Sequence, residues 1–185
     1  MRVVGGEFRS RRLKTLEGRS VRPTSDRLRE TLFDILGEDV AGKVFMDAYA
    51  GSGAVGIEAL SRGAARVVFV ETSRQALGVI RENLRSLGLE GRAEVVARPA
   101  SKVVGTVDAD IVFLDPPYGE EEEYQAALGR VGEKPPGLVV AEHNRKVELR
   151  EGYGALRRVR VVRQGDSSLS FYRPAERPEA SYNEI

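Results

Sequence analysis

The chain has 185 residues, no cysteine, and 29 basic against 28 acidic side chains. That length suits one domain with a substantial core, the missing thiols exclude disulfides and thiolate metal sites, and no apolar run approaches the roughly 18 residues of a membrane span. Arg2, Glu7, Arg9, Arg11 and Arg12 interrupt any apolar N-terminal stretch, so no signal peptide is expected and the chain reads as cytoplasmic. The charge is unevenly spread: residues 1–29 hold nine basic side chains against three acids, and the remainder holds 20 against 25. A basic arm on a mildly acidic body points to an anionic partner for the arm, the alternative being a solvated hairpin.

In chain order, residues 2–4 and 12–14 read as two short strands around a Gly5-Gly6 turn region. Arg22-Pro23-Thr24 leads into a helix capped by Thr24 or Ser25, with Leu28, Leu32, Phe33 and Leu36 as its apolar stripe and Gly37 as its stop. The pattern then alternates. A strand over 44–48 precedes a helix over 54–62, and a strand over 67–71 precedes a helix over 74–87. That second helix has Ser73 as N-cap, Leu77, Ile80, Leu84 and Leu87 facing inward, and Gly88 at its end. Further strands are expected over 93–97, 110–115 and 138–142. Such alternation predicts a parallel sheet covered on both faces. The last two strands, 156–163 and 168–173, flank Gln164-Gly165-Asp166-Ser167 and form an antiparallel hairpin. Residues 174–185 have little to bury and read as a loose tail.

The first strand of the alternating region runs into Asp47-Ala48-Tyr49-Ala50-Gly51-Ser52-Gly53-Ala54-Val55-Gly56. Gly51, Gly53 and Gly56 satisfy the G-x-G-x-x-G spacing between a strand and a helix, where absent side chains allow a sharp turn and close approach to a ligand. Glu71 ends the next strand, 20 residues after Gly51, where a carboxylate accepts from both ribose hydroxyls of an adenosine group. The loop alone leaves NAD and S-adenosylmethionine open. Asp47, four residues before the first glycine, leans toward the second, because an acid there sits near an ammonium and a sulfonium.

The fourth strand of the sheet ends in Asp115-Pro116-Pro117-Tyr118. Ligands of open α/β sheets bind beyond the carboxyl ends of the strands, which puts this motif beside the glycine loop. Two prolines fix the backbone and remove two N–H donors, leaving a rigid pair of acceptors, the Asp115 carboxylate and the Pro116 carbonyl, next to an aromatic ring. An exocyclic base amine needs such a pair, because its lone pair is delocalised and must be drawn toward a tetrahedral shape before it attacks a methyl. Tyr118 then stacks on the extruded base. Catalysis here rests on alignment and needs no metal. The single histidine, His143, reads as structural or exposed. Nothing in the motif itself separates guanine N2 from adenine N6 in DNA or RNA, or from a protein glutamine. An RNA-binding assembly factor remains an alternative of a different class.

With these residues in place, the chain resembles the RsmD-like family of small-subunit (16S) ribosomal RNA guanine-N2 methyltransferases over roughly residues 2–173. Besides Asp47–Gly53 and Asp115–Tyr118, the resemblance rests on Arg2-Val3-Val4-Gly5-Gly6, on Arg22-Pro23-Thr24 with Asp26-Arg27-Leu28-Arg29-Glu30, and on Phe33 to Leu36. It continues in Gly56-Ile57-Glu58-Ala59-Leu60-Ser61-Arg62-Gly63-Ala64 and in the Gly165-Asp166 hairpin with Phe171-Tyr172. It implies a Rossmann-like class I methyltransferase fold, α/β, with a mostly parallel seven-stranded sheet, a C-terminal antiparallel hairpin and an N-terminal β-hairpin plus helix extension. It also implies S-adenosylmethionine as cofactor and a small ribosomal subunit, assembled or partly assembled, as partner. Divided so, residues 1–37 form the extension, 38–173 the methyltransferase domain and 174–185 the tail. The expected cofactor residues are Asp47, Tyr49, Ala50, Gly51, Ser52, Gly53, Glu71, Thr72, Arg98 and Ala100. The expected catalytic group is Asp115, Pro116, Pro117 and Tyr118. One departure concerns adenine: family members carry Asp or Asn after the third strand, where this chain has Pro99, which leaves adenine to backbone groups or to Arg98. Arg9, Arg11, Arg12 and Lys14 are expected to meet RNA phosphates, on an arm lying outside the glycine loop and the main core.

Overall fold

The computed structural model describes residues 1–16, 25–117, 119 and 121–175. Arg22-Pro23-Thr24, Tyr118 and the tail from residue 176 lie outside them. The helix α1 (Asp26–Leu36) starts at Ser25, whose hydroxyl accepts from the Leu28 N–H, and stops at Gly37 with φ +53°. After it come β1 (Val44–Asp47), α2 (Ala54–Ser61), β2 (Arg66–Val70), α3 (Arg74–Leu87) and β3 (Ala93–Val96). Then follow β4 (Ile111–Leu114), α4 (Glu121–Glu133), β5 (Leu138–Asn144), β6 (Gly152–Tyr153), β7 (Leu156–Gln164) and β8 (Ser167–Pro174). All eight strands join one sheet in the order β3-β2-β1-β4-β5-β8-β7-β6. The first five are parallel to one another, and β5, β8, β7 and β6 pair antiparallel.

Strand alternation sorts the core into two layers. Phe45, Val67, Phe69, Phe113 and Val140 face α1, α2 and α3. Met46, Val68, Val70, Val112 and Val139 face α4 and the turn at Ala100–Lys102. The α3 boundaries, its Ser73 cap and its Gly88 stop match the expected helix, because capping and amphipathic period agree there. Two elements were not read from the sequence. The helix α4 begins in a run of glutamates that looks like solvated surface, although Tyr124, Ala127, Leu128 and Val131 carry its buried spacing. The two-residue β6 makes the eighth strand and is too short to have a periodicity.

The N-terminal segment requires a correction. Instead of two strands it makes a single antiparallel bridge, Arg2 with Arg12, flanked by backbone bonds such as Val3 N–H to Arg11 O at 3.0 Å. It does not stand outside the core: Val3 and Leu13 are buried in the layer that holds α1 and α2. Gly5 and Gly6 serve close approach, since a Cβ on Gly6 would sit 2.0 Å from the Ser61 carbonyl oxygen. The anchor is Glu58 of α2, fully buried, which accepts from the Val4 N–H at 2.8 Å and the Gly5 N–H at 2.7 Å. Two guanidiniums balance its charge, Arg62 at 3.0 Å and the fully buried Arg29 at 3.5 Å. Arg29 also donates to the Arg2 carbonyl at 2.5 Å. A buried carboxylate needs such partners to remain charged.

Candidate active site

The loop from β1 to α2 is built by its glycines in two ways. Gly51 and Gly53 have φ of +53° and +79°, a region that side chains disfavour. Gly56 is helical, but a Cβ there would come 2.3 Å from the Phe69 ring, so its role is close packing of α2 on β2. Asp47 is buried and accepts from the Gly56 N–H at 2.9 Å, which fixes the first turn of α2 to the end of β1. Burial, the largest cause, lifts its pKa to about 7; the Gly56 bond opposes that and the charge of Glu71 adds to it.

Glu71 ends β2 and braces the loop from the other side. One carboxylate oxygen accepts from the Gly51 N–H at 2.9 Å, and the other from the N–H groups of Thr72 and Ser73 at 2.7 and 2.9 Å. A carboxylate has about four lone-pair sites, so three are occupied before any ribose arrives. The expected grip on both hydroxyls is therefore shared with the loop's own backbone.

These groups open onto a cavity of about 690 Å³, within the size range of small-molecule sites. Its wall includes Asp47, Tyr49, Ala50, Gly51, Ser52, Glu71 and Thr72 from the first half of the sheet, and Asp115, Pro116 and Pro117 from the end of β4. Arg98 and Ala100 border it beyond β3, Arg98 exposed and Ala100 at the start of a short 3-10 turn. The first amides of such a turn have no acceptor within it, so a backbone donor lies where Pro99 offers no side-chain group. Gly53 alone of the expected cofactor residues does not border the cavity; it is the left-handed residue that starts α2.

Sequence reasoning missed several walls. Glu123 borders the cavity and accepts from the Tyr49 hydroxyl at 3.1 Å; its helix was hidden in the glutamate run. Gln75 and Ala76 come from the first turn of α3, and Met1, Thr15 and Leu16 come from the N-terminal segment. No local motif announces these. Among the described residues, the cavity wall carries Asp47, Glu71, Asp115 and Glu123 against one basic side chain, Arg98. Such a lining suits a cationic sulfonium and ammonium and opposes the pyrophosphate of a dinucleotide. His143 is structural. Its Nδ1 faces the Asn144 carbonyl and its Nε2 the Ser170 hydroxyl, both at 2.9 Å, so Nδ1 carries the proton and Nε2 accepts from Ser170.

A family model described as "Conserved hypothetical protein 95" matches residues 1–173. The chain belongs to this RsmD-like family of rRNA methyltransferases. It is 36% identical over 182 residues to "Putative rRNA methyltransferase YlbH" of Bacillus subtilis, covering 94% of this chain and 98% of that protein. It is also 39% identical over 120 residues to "Ribosomal RNA small subunit methyltransferase D" of Escherichia coli K12, a match that spans 64% of this chain and 60% of that one. Among solved structures, a "Putative methyltransferase yhhF" from Escherichia coli superposes with a TM-score of 0.81 at 28% identity, covering 96% of this chain and 99% of that one. The RsmD-like fold thus holds the glycine loop, Glu71 and the Asp115 motif around one cavity.

Proposed function

We propose that this RsmD-like chain methylates the exocyclic N2 amine of a guanine in small-subunit ribosomal RNA, in the cytoplasm, on an assembled or partly assembled subunit. Its cofactor is S-adenosylmethionine, which supplies a methyl group already activated on a sulfonium. The observation that carries the reading is that Asp115, Pro116 and Pro117 border the same acidic cavity as the glycine loop and Glu71. Asp47, Tyr49, Gly51, Ser52, Glu71 and Thr72 hold the donor, with Arg98 and the Ala100 amide toward adenine. The Asp115 carboxylate and the Pro116 carbonyl accept from the two amine N–H groups and aim the nitrogen lone pair at the methyl. Tyr118 stacks on the guanine, and its place is inferred from the motif because it lies outside the described residues. Alignment of donor and acceptor supplies the rate. The deciding experiment is mass mapping of modified nucleosides in 16S rRNA from cells lacking the gene. Loss of one N2-methylguanosine, restored by the parent protein and not by Asp115→Ala, is the expected result. An unchanged map would reject the reading.

A further inference from the structure

The averaged charge of the chain hides a second basic surface. Residues 145–163 contain seven basic side chains against Glu148 and Glu151. Some are engaged: Arg158 pairs with Glu151, and Arg157 donates to the Gly154 and Leu156 carbonyls at 2.8 Å. Arg160 and Arg163 are exposed and make no ion pair among the described residues. The two large apolar side chains found exposed among the described residues, Val159 and Val161, flank Arg160 on the same strand, and the register puts Arg160 on the Phe171 side of the sheet and Val161 and Arg163 on the Ser168–Ser170 side. A bulge at Val159 shifts the β7–β8 register between Arg158 and Arg160, and bulges bend a strand and re-aim its side chains. The strand β6 covers β7 only at Leu156 and Arg157, and the Arg158 N–H donates to the Glu151 carbonyl at 2.8 Å, so the outer edge of β7 beyond Arg158 is open among the described residues.

This edge is aligned with the site. Register runs from Leu114 through Ala141 and Ser170 to Val161. Asp115 follows Leu114, so the Val161 level of β7 lies about three strand spacings, or about 14–15 Å, along the sheet rim from the amine acceptors. Arg160 and Arg163 flank that level. The positive charge of Arg158 and Arg163 also reaches His143, helping burial to hold the imidazole below its ordinary pKa.

We infer that the open edge of β7, with Arg160 on one side of the sheet, Arg163 and Val161 on the other, and Val159 at the bulge, forms a docking surface for the ribosomal RNA strand next to the target guanine. The inference rests on the proposed function. The guanidiniums take phosphates, and the valines lie under sugars or an unstacked base. Arginine suits phosphate and stacking contacts, and phosphate contacts position the enzyme without choosing the base. The competing account is that the arginines and the bulge only guard an open sheet edge against pairing with another chain.

The test measures binding of the full chain to small ribosomal subunits and their precursor particles across a salt series, for the parent and for the double variant Arg160→Gln/Arg163→Gln. Cofactor affinity, methyl transfer and self-association are followed alongside. Two lost phosphate contacts should flatten the slope of log affinity against log salt by about one and a half units, with cofactor affinity unchanged. Parent-like affinity and slope overturn the surface, and a variant that only self-associates assigns the arginines to edge protection. If the parent transfers no methyl group to rRNA yet the variant loses RNA affinity, the surface stands and the methylation reading falls. If the parent binds neither small subunits nor their precursor particles, both fall.

Discussion

Asn83 holds Lys14 by both backbone groups, accepting from its N–H at 2.8 Å and donating to its carbonyl at 3.0 Å. The same side-chain amide donates to the Ser52 carbonyl of the glycine loop at 3.1 Å. One buried side chain of α3 thus joins the N-terminal segment to the loop that borders the cavity. Asn83→Ala leaves those backbone groups without their partner, which costs about 1–3 kcal/mol for a buried group. The variant should unfold at lower denaturant and bind S-adenosylmethionine more weakly. Asn83→Asp keeps the acceptor for Lys14 but turns a buried carboxylate oxygen toward the Lys14 and Ser52 carbonyls, so it should be at least as damaging as Asn83→Ala. Denaturant titration and calorimetry on the three proteins check this; parent-like cofactor affinity in Asn83→Ala would break the proposed link between segment and loop.

Glu71 braces the loop and is assigned to the ribose by the proposed function, so its variants should affect both stability and cofactor binding. Glu71→Ala removes the acceptor of three backbone N–H groups along with any ribose contact. Hydrogen bonds to a charged acceptor are worth about 1.5–3 kcal/mol each, so cofactor affinity and stability should both drop. Glu71→Gln retains one acceptor oxygen and should lose less of each. If calorimetry finds unchanged affinity in both variants, Glu71 serves only the loop.

The fold was legible where local signals agree with one another. The α3 helix shows cap, apolar period and glycine stop together, and β4 is an apolar run ending at Asp115. Failures came where the decisive contact is distant. Nothing local to Arg2–Gly6 says that Glu58, more than 50 residues away, receives its N–H groups. The segments that carry the family resemblance around Arg2, Arg29 and Glu58 meet at that buried carboxylate, so their common purpose is docking of the segment on α2. The cofactor loop was readable because its glycines obey a fixed spacing. The reach of Glu123 and Thr15 to the same cavity depends on tertiary packing that no spacing encodes.

Asp47 gives a pH signature. Its pKa is raised by burial to about 7, so the neutral acid prevails below that value in the ligand-free protein. The folded pKa lies above the ordinary aspartate value of 3.8, so this group's contribution to stability is fully present below about 3.8 and is lost as pH rises through about 7. A cationic ligand favours the carboxylate, so binding should release a proton. Affinity for S-adenosylmethionine should therefore rise by about tenfold between about pH 5.5 and 7, below the titration of a free α-amino group. Asp47→Asn should flatten that rise and gain relative stability at pH 8, where the parent buries a charge. Calorimetry in buffers of different ionisation heat counts the released proton, and no difference between parent and variant would remove Asp47 from the cofactor's charge balance.

Asp115 is assigned to the acceptor amine, so Asp115→Ala should abolish methyl transfer and leave cofactor affinity nearly intact. Asp115→Asn keeps one acceptor oxygen but adds an N–H donor facing the amine, and should also be severely slowed. Tyr118→Ala should be slower than Tyr118→Phe, because base stacking on an aromatic ring is worth about 1–3 kcal/mol and the hydroxyl is not required for it. Single-turnover transfer with saturating cofactor is the measurement. A near-normal rate in Asp115→Ala would reject the acceptor role.

The basic N-terminal side chains are predicted to bind ribosomal RNA even though their backbone is locked to the body. Arg9, Arg11 and Arg12 are exposed, while Val3 and Leu13 of the same segment are buried. The segment is therefore a rigid mount for its guanidiniums, and ordering it on RNA costs little further entropy. Lys14 differs, because its ammonium pairs with Glu82 at 2.8 Å and is partly neutralised. Among the described residues, the Arg11 side chain makes one long hydrogen bond, 3.5 Å, to the Ser86 carbonyl. Replacing Arg9, Arg11 and Arg12 with alanine should flatten the salt slope of binding to small subunits by roughly two to three units, at about 0.7–0.9 per phosphate. Lys14→Ala should change it by less than one such step. Folding should be preserved in the triple variant, because these side chains are exposed and, among the described residues, none of them makes a hydrogen bond or ion pair to Glu58 or Asn83. The combination of an unchanged denaturation midpoint with a flattened slope assigns phosphate contact to the arginines. A parent-like slope would leave the arm as a structural mount alone and shift RNA docking to the arginines of β7.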